Sequence, residues 1–377
     1  MNKMLATPER YEFHAEEFDP FIELLRDFDQ HTVRMTIGDA EDIELDANGQ
    51  LKNGDFQLAP LAIKQICRQV SKGLWSLAAD IAGEHRSARA YDSACSVPLA
   101  ARIINDCVKL RFRAADGIAG RDMIQNHLTR VVDGVVGPRY QLLPNHQLLE
   151  AAKEMLESHA VPMKFHYGLL VGRRMAVSFL TEDPIADTAD GPMHGGAYFS
   201  NSEAGECGVR GAATLQIGHT LRCMAKLRHL SHSGKDFIKR LSRLLGSVLH
   251  SWDKTVEVAK RAEGVMAKKI NFLAPDDKVS KAARIRIQTA LTEYMDKSLA
   301  DDVVRKVIFM GADGTHVPRS VSAHEIATRK VRDVAVTLMR EAYGQYPEIR
   351  EGLERAAFDI IAEKIHPWSN HGNNPTS

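Results

Sequence analysis

The sequence predicts an α+β protein, in which a central, mainly antiparallel sheet with a packed helix is flanked by N-terminal helices and a C-terminal helical region. Three observations carry this reading. Short alternating apolar and polar segments, separated by glycine turns, cluster between about residues 125 and 232. A single helical period, NHQLLEAAKEMLES, interrupts them. From Ser233 onward apolar residues recur at three- and four-residue intervals instead. The predicted divisions are 1–124 (acidic, with a hairpin and helices), 125–232 (the α+β centre), 233–366 (helical) and 367–377 (a disordered tail).

Taken in order, IGDAEDIELDANGQLKNGDFQL alternates around Asn48-Gly49 and Asn53-Gly54 and reads as a small hairpin. Leu61, Ile66, Val70, Leu74 and Leu77 are spaced for a helix over about 58–82, and Pro98 to Leu110 for another. In HLTRVVDGVVGPRYQLL, Asp133-Gly134 sits between β-branched residues, the signature of a two-residue hairpin turn. Asn145 is placed to cap the helix that follows. Tyr167 to Leu180 reads as two strands around Gly172-Arg173-Arg174, and GGAYFSNSEAGECGVRGAATLQIG as two more around a glycine-rich turn. A long amphipathic helix follows Ser233, with further helices at about 276–300, 322–343 (capping box Ser322 and Glu325) and 347–365.

Composition narrows the function classes. Among 377 residues, 49 basic side chains balance 49 acidic ones, so any attraction to a polyanion must be local. The five cysteines include no C-x-x-C pair, which argues against a disulfide framework or zinc ribbon and for a reducing cytoplasm. The first thirty residues carry acids where a secretory signal would be apolar, and no apolar run approaches the ~20 residues of a membrane span. No membrane partner is expected. P-loop, G-x-G-x-x-G, G-x-S-x-G and H-E-x-x-H strings are missing, so no cofactor and no catalytic residue is assigned.

Cys207, His219 and Cys223, with His194 upstream, have metal-ligand chemistry but no standard spacing, and buried core cysteines are the stronger reading. His229 and His232 lie among basic residues, where a solvated loop is favoured over ligation. Asn201, Ser202 and Glu203 occupy a strand-end turn, where they cap backbone amides or, in an enzyme, move protons. Charge is the stronger signal. Residues 1–60 hold 14 acids against 5 bases, whereas 222–269 hold 12 bases against 4 acids, a local excess of +8. Arg222, Lys226, Arg228, Lys235, Lys239, Arg240 and Arg243 are therefore the candidate phosphate contacts, with Lys235, Lys239 and Arg243 on one helix face. Tyr167, Phe179, Tyr198 and Phe199 are the candidate base-stacking platforms, and the acidic first sixty residues a candidate screen over the basic face.

The strings RVVDGVVGPRYQLLPNHQLLEAAKEML, GGAYFSNSEAGECGVRGAATLQIGHTLRCMAKL and RHLSHSG resemble a phage/plasmid-like family defined by a domain of unknown function, number 932, over about residues 125–245. The resemblance rests on Arg139-Tyr140 before the helix begun by Asn145, on Asn201-Ser202-Glu203-x-Gly205, and on the later Arg222-Cys223. Many members follow that cysteine with Asn-Gly, where this chain has Met224-Ala225-Lys226. The resemblance implies a mobile-element context, and the architecture is loosely similar to phage single-strand annealing proteins. The expected function is thus non-enzymatic binding of DNA, in single-stranded form, during annealing or recombination, by a homo-oligomer in the cytoplasm. The alternatives are an enzyme built on the Asn201-Ser202-Glu203 turn with a nearby histidine, and an oligomeric interaction protein.

Overall fold

The structure is a computed structural model that describes residues 10–36, 43–47, 50–71, 73–74, 101–107, 121–218, 221–267, 269–271, 328–342 and 347–362. The N-terminal part runs β1 (Arg10–His14), α1 (Phe18–Gln30), β2 (Thr32–Thr36), β3 (Ile43–Leu45), β4 (Leu51–Asn53), β5 (Phe56–Leu58) and α2 (Pro60–Val70). The centre continues with β6 (Asp122–Asn126), β7 (Val131–Val136), α3 (Asn145–Glu157), β8 (Met163–Val171), β9 (Arg174–Thr181), β10 (Ala186–Thr188), β11 (Gly191–Ser202), β12 (Val209–Ile217), β13 (Leu221–Met224) and β14 (Arg228–Leu230). Then come α4 (Phe237–His250), α5 (Trp252–Met266), β15 (Lys269–Asn271), β16 (Thr328–Lys330), α6 (Val331–Ala342) and α7 (Pro347–Ile361). The class is α+β. No helix among the described residues is long and apolar enough to cross a membrane.

The large sheet has the order β1-β8-β9-β11-β12-β13, with β10 on β11 and β14 on β12, and every pairing is antiparallel. Its strands alternate, so Met175, Val177 and Phe179 of β9 and Ala197 and Phe199 of β11 point to one face. There they meet Phe21 and Leu25 of α1, Leu148, Ala152 and Leu156 of α3, and Leu241, Leu244 and Val248 of α4. Further along, α5, α6 and α7 cover Ala213, Leu215, Ile217 and Cys223. The turn Gly172-Arg173, with Gly172 at φ +56°, joins β8 to β9 as the sequence predicts.

Residues 125–232 are not one sheet. β6 and β7 belong to a second, mixed sheet of order β2-β6-β7-β5-β4-β3, because β7 pairs in parallel with β5 from the N-terminal region. The expected Asp133-Gly134 turn is also absent. Both residues lie inside β7, and the reversal falls at 127–130, where Asn126 Oδ1 accepts from the amides of Leu128 (2.9 Å) and Thr129 (3.0 Å) and Arg130 takes φ +57°. Gly134 serves close packing instead, since a Cβ there would lie 2.4 Å from the Ala204 carbonyl oxygen.

Other boundaries move for local reasons. The small hairpin becomes three short strands, β3 to β5, with Gly54 at φ +55° in its second turn; Asn48-Gly49 lies outside the described residues. The helix expected over 58–82 is described as α2, and 101–107 are helical within the stretch expected from Pro98. The long helix after Ser233 is two, divided at Ser251. Ser247 and Ser251 bond back to the carbonyls of Leu244 (2.7 Å) and Ser247 (2.8 Å), and Trp252 packs so closely on Gly195 that a Cβ there would lie 2.1 Å from the indole. The helix expected over 322–343 is α6, starting at Val331, because 328–330 pair with β15. Ser322, Glu325 and the helix expected at 276–300 lie outside the described residues.

Candidate nucleic-acid interface and the polar centre behind it

Most of the expected cations are exposed along the segment from Lys226 through β14 to α4. Lys226, Arg228, Lys235, Lys239 and Arg243 are exposed, and among the described residues none has a carboxylate at ion-pair distance. Asp236 is the one acid between Lys226 and Arg243. Lys239 and Arg243 share the outer face of α4, opposite Leu241, Leu244 and Leu245. Lys235 does not join them on the helix, because α4 starts at Phe237 after Gly234 (φ +105°) and Asp236 (φ +57°). Arg240 is half engaged: it donates to the carbonyls of Ser233 (3.0 Å) and Ser231 (2.8 Å) and so fixes the turn that presents Lys235.

Two expectations for this surface fail. Arg222 is only 4% exposed, donates to Glu354 at 2.9 Å and lies over the Tyr198 ring, so it makes no external phosphate contact. Phe179, Tyr198 and Phe199 are buried, and Tyr167 is half-buried beneath Arg350, so none of these four candidates is an open platform for stacking bases. Nor is the acidic N-terminus a detachable screen. β1 pairs with β8 along its whole length, and α1 supplies Phe21 and Leu25 to the core.

Behind this surface the resemblance-bearing residues converge. Glu203 follows β11 and is 2% exposed; its Oε1 accepts from the Asn145 amide at 2.6 Å and its Oε2 from Arg173 Nη1 at 3.2 Å. The first turn of α3 is thus capped by a carboxylate 58 residues away, and the Asn145 side chain, expected as the cap, turns instead to the Arg173 carbonyl (3.3 Å) and Asn201. Arg173 continues to Asp133 Oδ2 at 2.7 Å. Asn201 Nδ2 donates to the Leu143 carbonyl and to Asn145 Oδ1, both at 2.9 Å. The Tyr140 hydroxyl donates to the Ser202 carbonyl at 2.8 Å, and Gly205 (φ +75°) takes the left-handed turn where a Cβ would lie 2.8 Å from Val136 Cγ1. His232 completes the group, with Nε2 2.8 Å from Asn201 Oδ1 and Nδ1 2.8 Å from the Gln141 carbonyl.

Burial sets the electrostatics here. It pushes the Glu203 carboxyl up to about 7, against the lowering pull of Arg173 and the Asn145 amide. Burial likewise raises Asp133, against Arg173, and raises the Tyr140 phenol. Asn201 and Ser202 are fully buried, and Ser202 Oγ accepts the Glu206 amide at 3.1 Å. In this constellation Tyr140, Asn145, Asn201, Ser202 and Glu203 are each hydrogen-bonded to a neighbour, and Asp133 is its partly exposed member. Arg139 stands outside it, exposed, and Cys223 lies in the apolar cluster under α5 to α7.

No family model, curated protein or solved structure matches the chain.

The cysteines sit where a core reading puts them. Cys207 and Cys223 are buried, and burial raises both thiols. They are separated along β12 by at least the stretch from Val209, opposite Leu230, to Leu215, opposite Cys223, on the order of 20 Å of extended chain. That distance rules out a shared metal. His219 lies outside the described residues, and His194 Nδ1 faces the Thr181 carbonyl at 3.0 Å.

Sequence reasoning missed Arg173, Asp133 and the buried glutamates of α7. An arginine in a tight hairpin reads as solvent-exposed, and nothing in local spacing marks it as the partner of a carboxylate 30 residues on.

Proposed function

We propose that the protein binds DNA through its phosphate backbone, using the surface formed by β14, the turn after it and the outer face of α4. The observation that carries this reading is the grouping of Lys226, Arg228, Lys235, Lys239 and Arg243 as exposed cations with Asp236 the one intervening acid. Such a surface neutralises phosphates without reading base edges, so binding is independent of sequence and steep in salt. The buried aromatics favour backbone contact over base stacking as the mode of holding single strands. The resemblance to the phage/plasmid-like family supports a setting in mobile-element DNA metabolism.

Fluorescence anisotropy of labelled single- and double-stranded oligonucleotides across a salt series tests the proposal. Replacing Lys235, Lys239 and Arg243 together with Gln is expected to weaken binding alike for all sequences and to reduce the log–log salt slope by about 2–3, with unchanged far-UV circular dichroism. Wild-type protein that binds neither oligonucleotide at low salt would overturn the proposal.

A further inference from the structure

His232 ties the basic surface to the polar centre, and its hydrogen bonds have a fixed direction. The Leu143 and Arg173 carbonyls are acceptors only, so Asn201 Nδ2 must face Leu143 and Asn145 Nδ2 must face Arg173. Asn201 Nδ2 spends its second hydrogen on Asn145 Oδ1. Rotating the Asn201 amide would set its oxygen against two oxygens, and rotating Asn145 to compensate would set a third against the Arg173 carbonyl. Asn201 therefore offers His232 an oxygen. At the other ring nitrogen stands the Gln141 carbonyl, whose residue is held by a second bond from its amide to the His232 carbonyl at 2.7 Å. Both ring nitrogens face acceptors, and a neutral imidazole has one hydrogen to give.

The ring's two faces suit a cation as well. Tyr140 stacks on one at 4.7 Å and Phe237 on the other at 5.5 Å. Burial, the largest effect, and His229 on β14 hold the His232 imidazole below its ordinary value, against the opposing pull of the Gln141 carbonyl. Other charged and titratable groups on the surrounding elements are engaged or stand off. Arg34 of β2 donates to the Tyr140 carbonyl at 2.9 Å, Arg240 of α4 holds the carbonyls of Ser231 and Ser233, Glu203 lies beyond Asn145, and Lys235 and Asp236 point to solvent. Two oxygens at 2.8 Å decide the balance, since a lone pair forced against either would leave a buried acceptor unsatisfied.

We propose that His232 is protonated on both ring nitrogens in the folded protein, and that losing this proton loosens the β14–α4 connection and weakens the DNA-binding surface in front of it. The second half rests on the DNA-binding reading above; the first does not. Deprotonation sets the Nε2 lone pair against Asn201 Oδ1, which pushes the ring and the turn 231–236 away from the 137–144 segment and separates Arg228 and Lys235 from Lys239 and Arg243.

The ring is read directly by 15N chemical shifts in histidine-labelled protein, assigned with His232→Gln or, if that variant does not fold, through contacts to the Tyr140 and Phe237 rings. Both His232 nitrogens are expected in the protonated range at pH 6, with deprotonation at higher pH than for His229. An unprotonated Nε2 at pH 6 overturns the proposal. DNA affinity is then measured against pH in His229→Gln, which removes the exposed neighbour, and is expected to fall about tenfold through the His232 titration. Affinity that stays flat through that titration overturns the coupling. Absence of DNA binding at every pH refutes the DNA-binding reading alone, because the 15N result reports on the proton by itself.

Discussion

The two faces of the large sheet are built from the same strands and buried by opposite chemistry. On the face toward α1, α3 and α4, Phe179 and Phe199 are fully buried among Leu148, Leu156 and Leu244, and the polar Asn201 at the end of β11 is tied to Leu143 and Asn145. On the other face the alternate residues of those strands include Arg174, Ser178, Tyr198, Ser200, Arg210 and Arg222, beside a small apolar cluster of Ala176, Ala212 and Met224. They too are largely buried, beneath Glu351 and Glu354 of α7. Glu351 Oε1 accepts from the Tyr198 hydroxyl (2.8 Å), Ser200 Oγ (3.1 Å) and Arg174 Nη2 (3.4 Å), and its Oε2 pairs with Arg210. Glu354 takes Arg222 at 2.9 Å and Arg350 at 2.8 Å. An apolar face tolerates any helix of about the right shape, whereas a face of arginines admits one that brings its carboxylates to fixed places. The polar face thus gives α7 its register.

That contrast breaks most readily at Glu351. Replacing it with Ala removes the buried carboxylate that pairs with Arg174 and Arg210 and is expected to cost about 3–5 kcal/mol, read as a large drop in urea midpoint that added salt does not restore. If the loss stays near that of a surface substitution, the polar face is solvated and its supposed role in docking α7 is wrong. On the apolar face, Leu148→Ala is expected to cost about 2–4 kcal/mol through transfer and cavity terms, with no dependence on pH.

Glu203 sharpens the comparison at the junction of the two sheets. Glu203→Gln keeps the shape but turns an amide nitrogen toward either Arg173 Nη1 or the Asn145 amide, donor against donor, and is expected to cost about 1–3 kcal/mol. Because the folded carboxyl titrates near 7 and the unfolded one at its ordinary value of 4.5, the folded state holds a proton that the unfolded state releases. Its contribution is present below the unfolded value and is lost as pH rises through about 7. Urea midpoints measured from pH 5 to pH 8 should fall in wild type more than in Glu203→Gln. The smallest effect is expected on the exposed face of α4, where Lys239→Gln with Arg243→Gln should change stability by less than about 0.5 kcal/mol while still weakening DNA binding.

The sequence by itself determined the class and most of the large sheet. Strand alternation and glycine turns from Tyr167 to Ile217 follow from period-two packing, which is local, and so does the three-and-four spacing of α4. It also determined which cations between Lys226 and Arg243 stand outward, apart from Arg240's tie to its own turn. Tertiary structure alone decided the rest. Nothing local tells β1 and α1, hidden among acids, that they complete the sheet and its core. Gly134 reads as a turn until Ala204 is seen pressed against it, and Asn145 as a cap until Glu203 arrives from a distant strand to take that place. Arg222 reads as a phosphate contact until Glu354, 132 residues later, neutralises it. Each of these is a pairing between residues far apart in the chain. A charge or a glycine shows only what it is able to do locally, and burial beside a particular partner selects what it does.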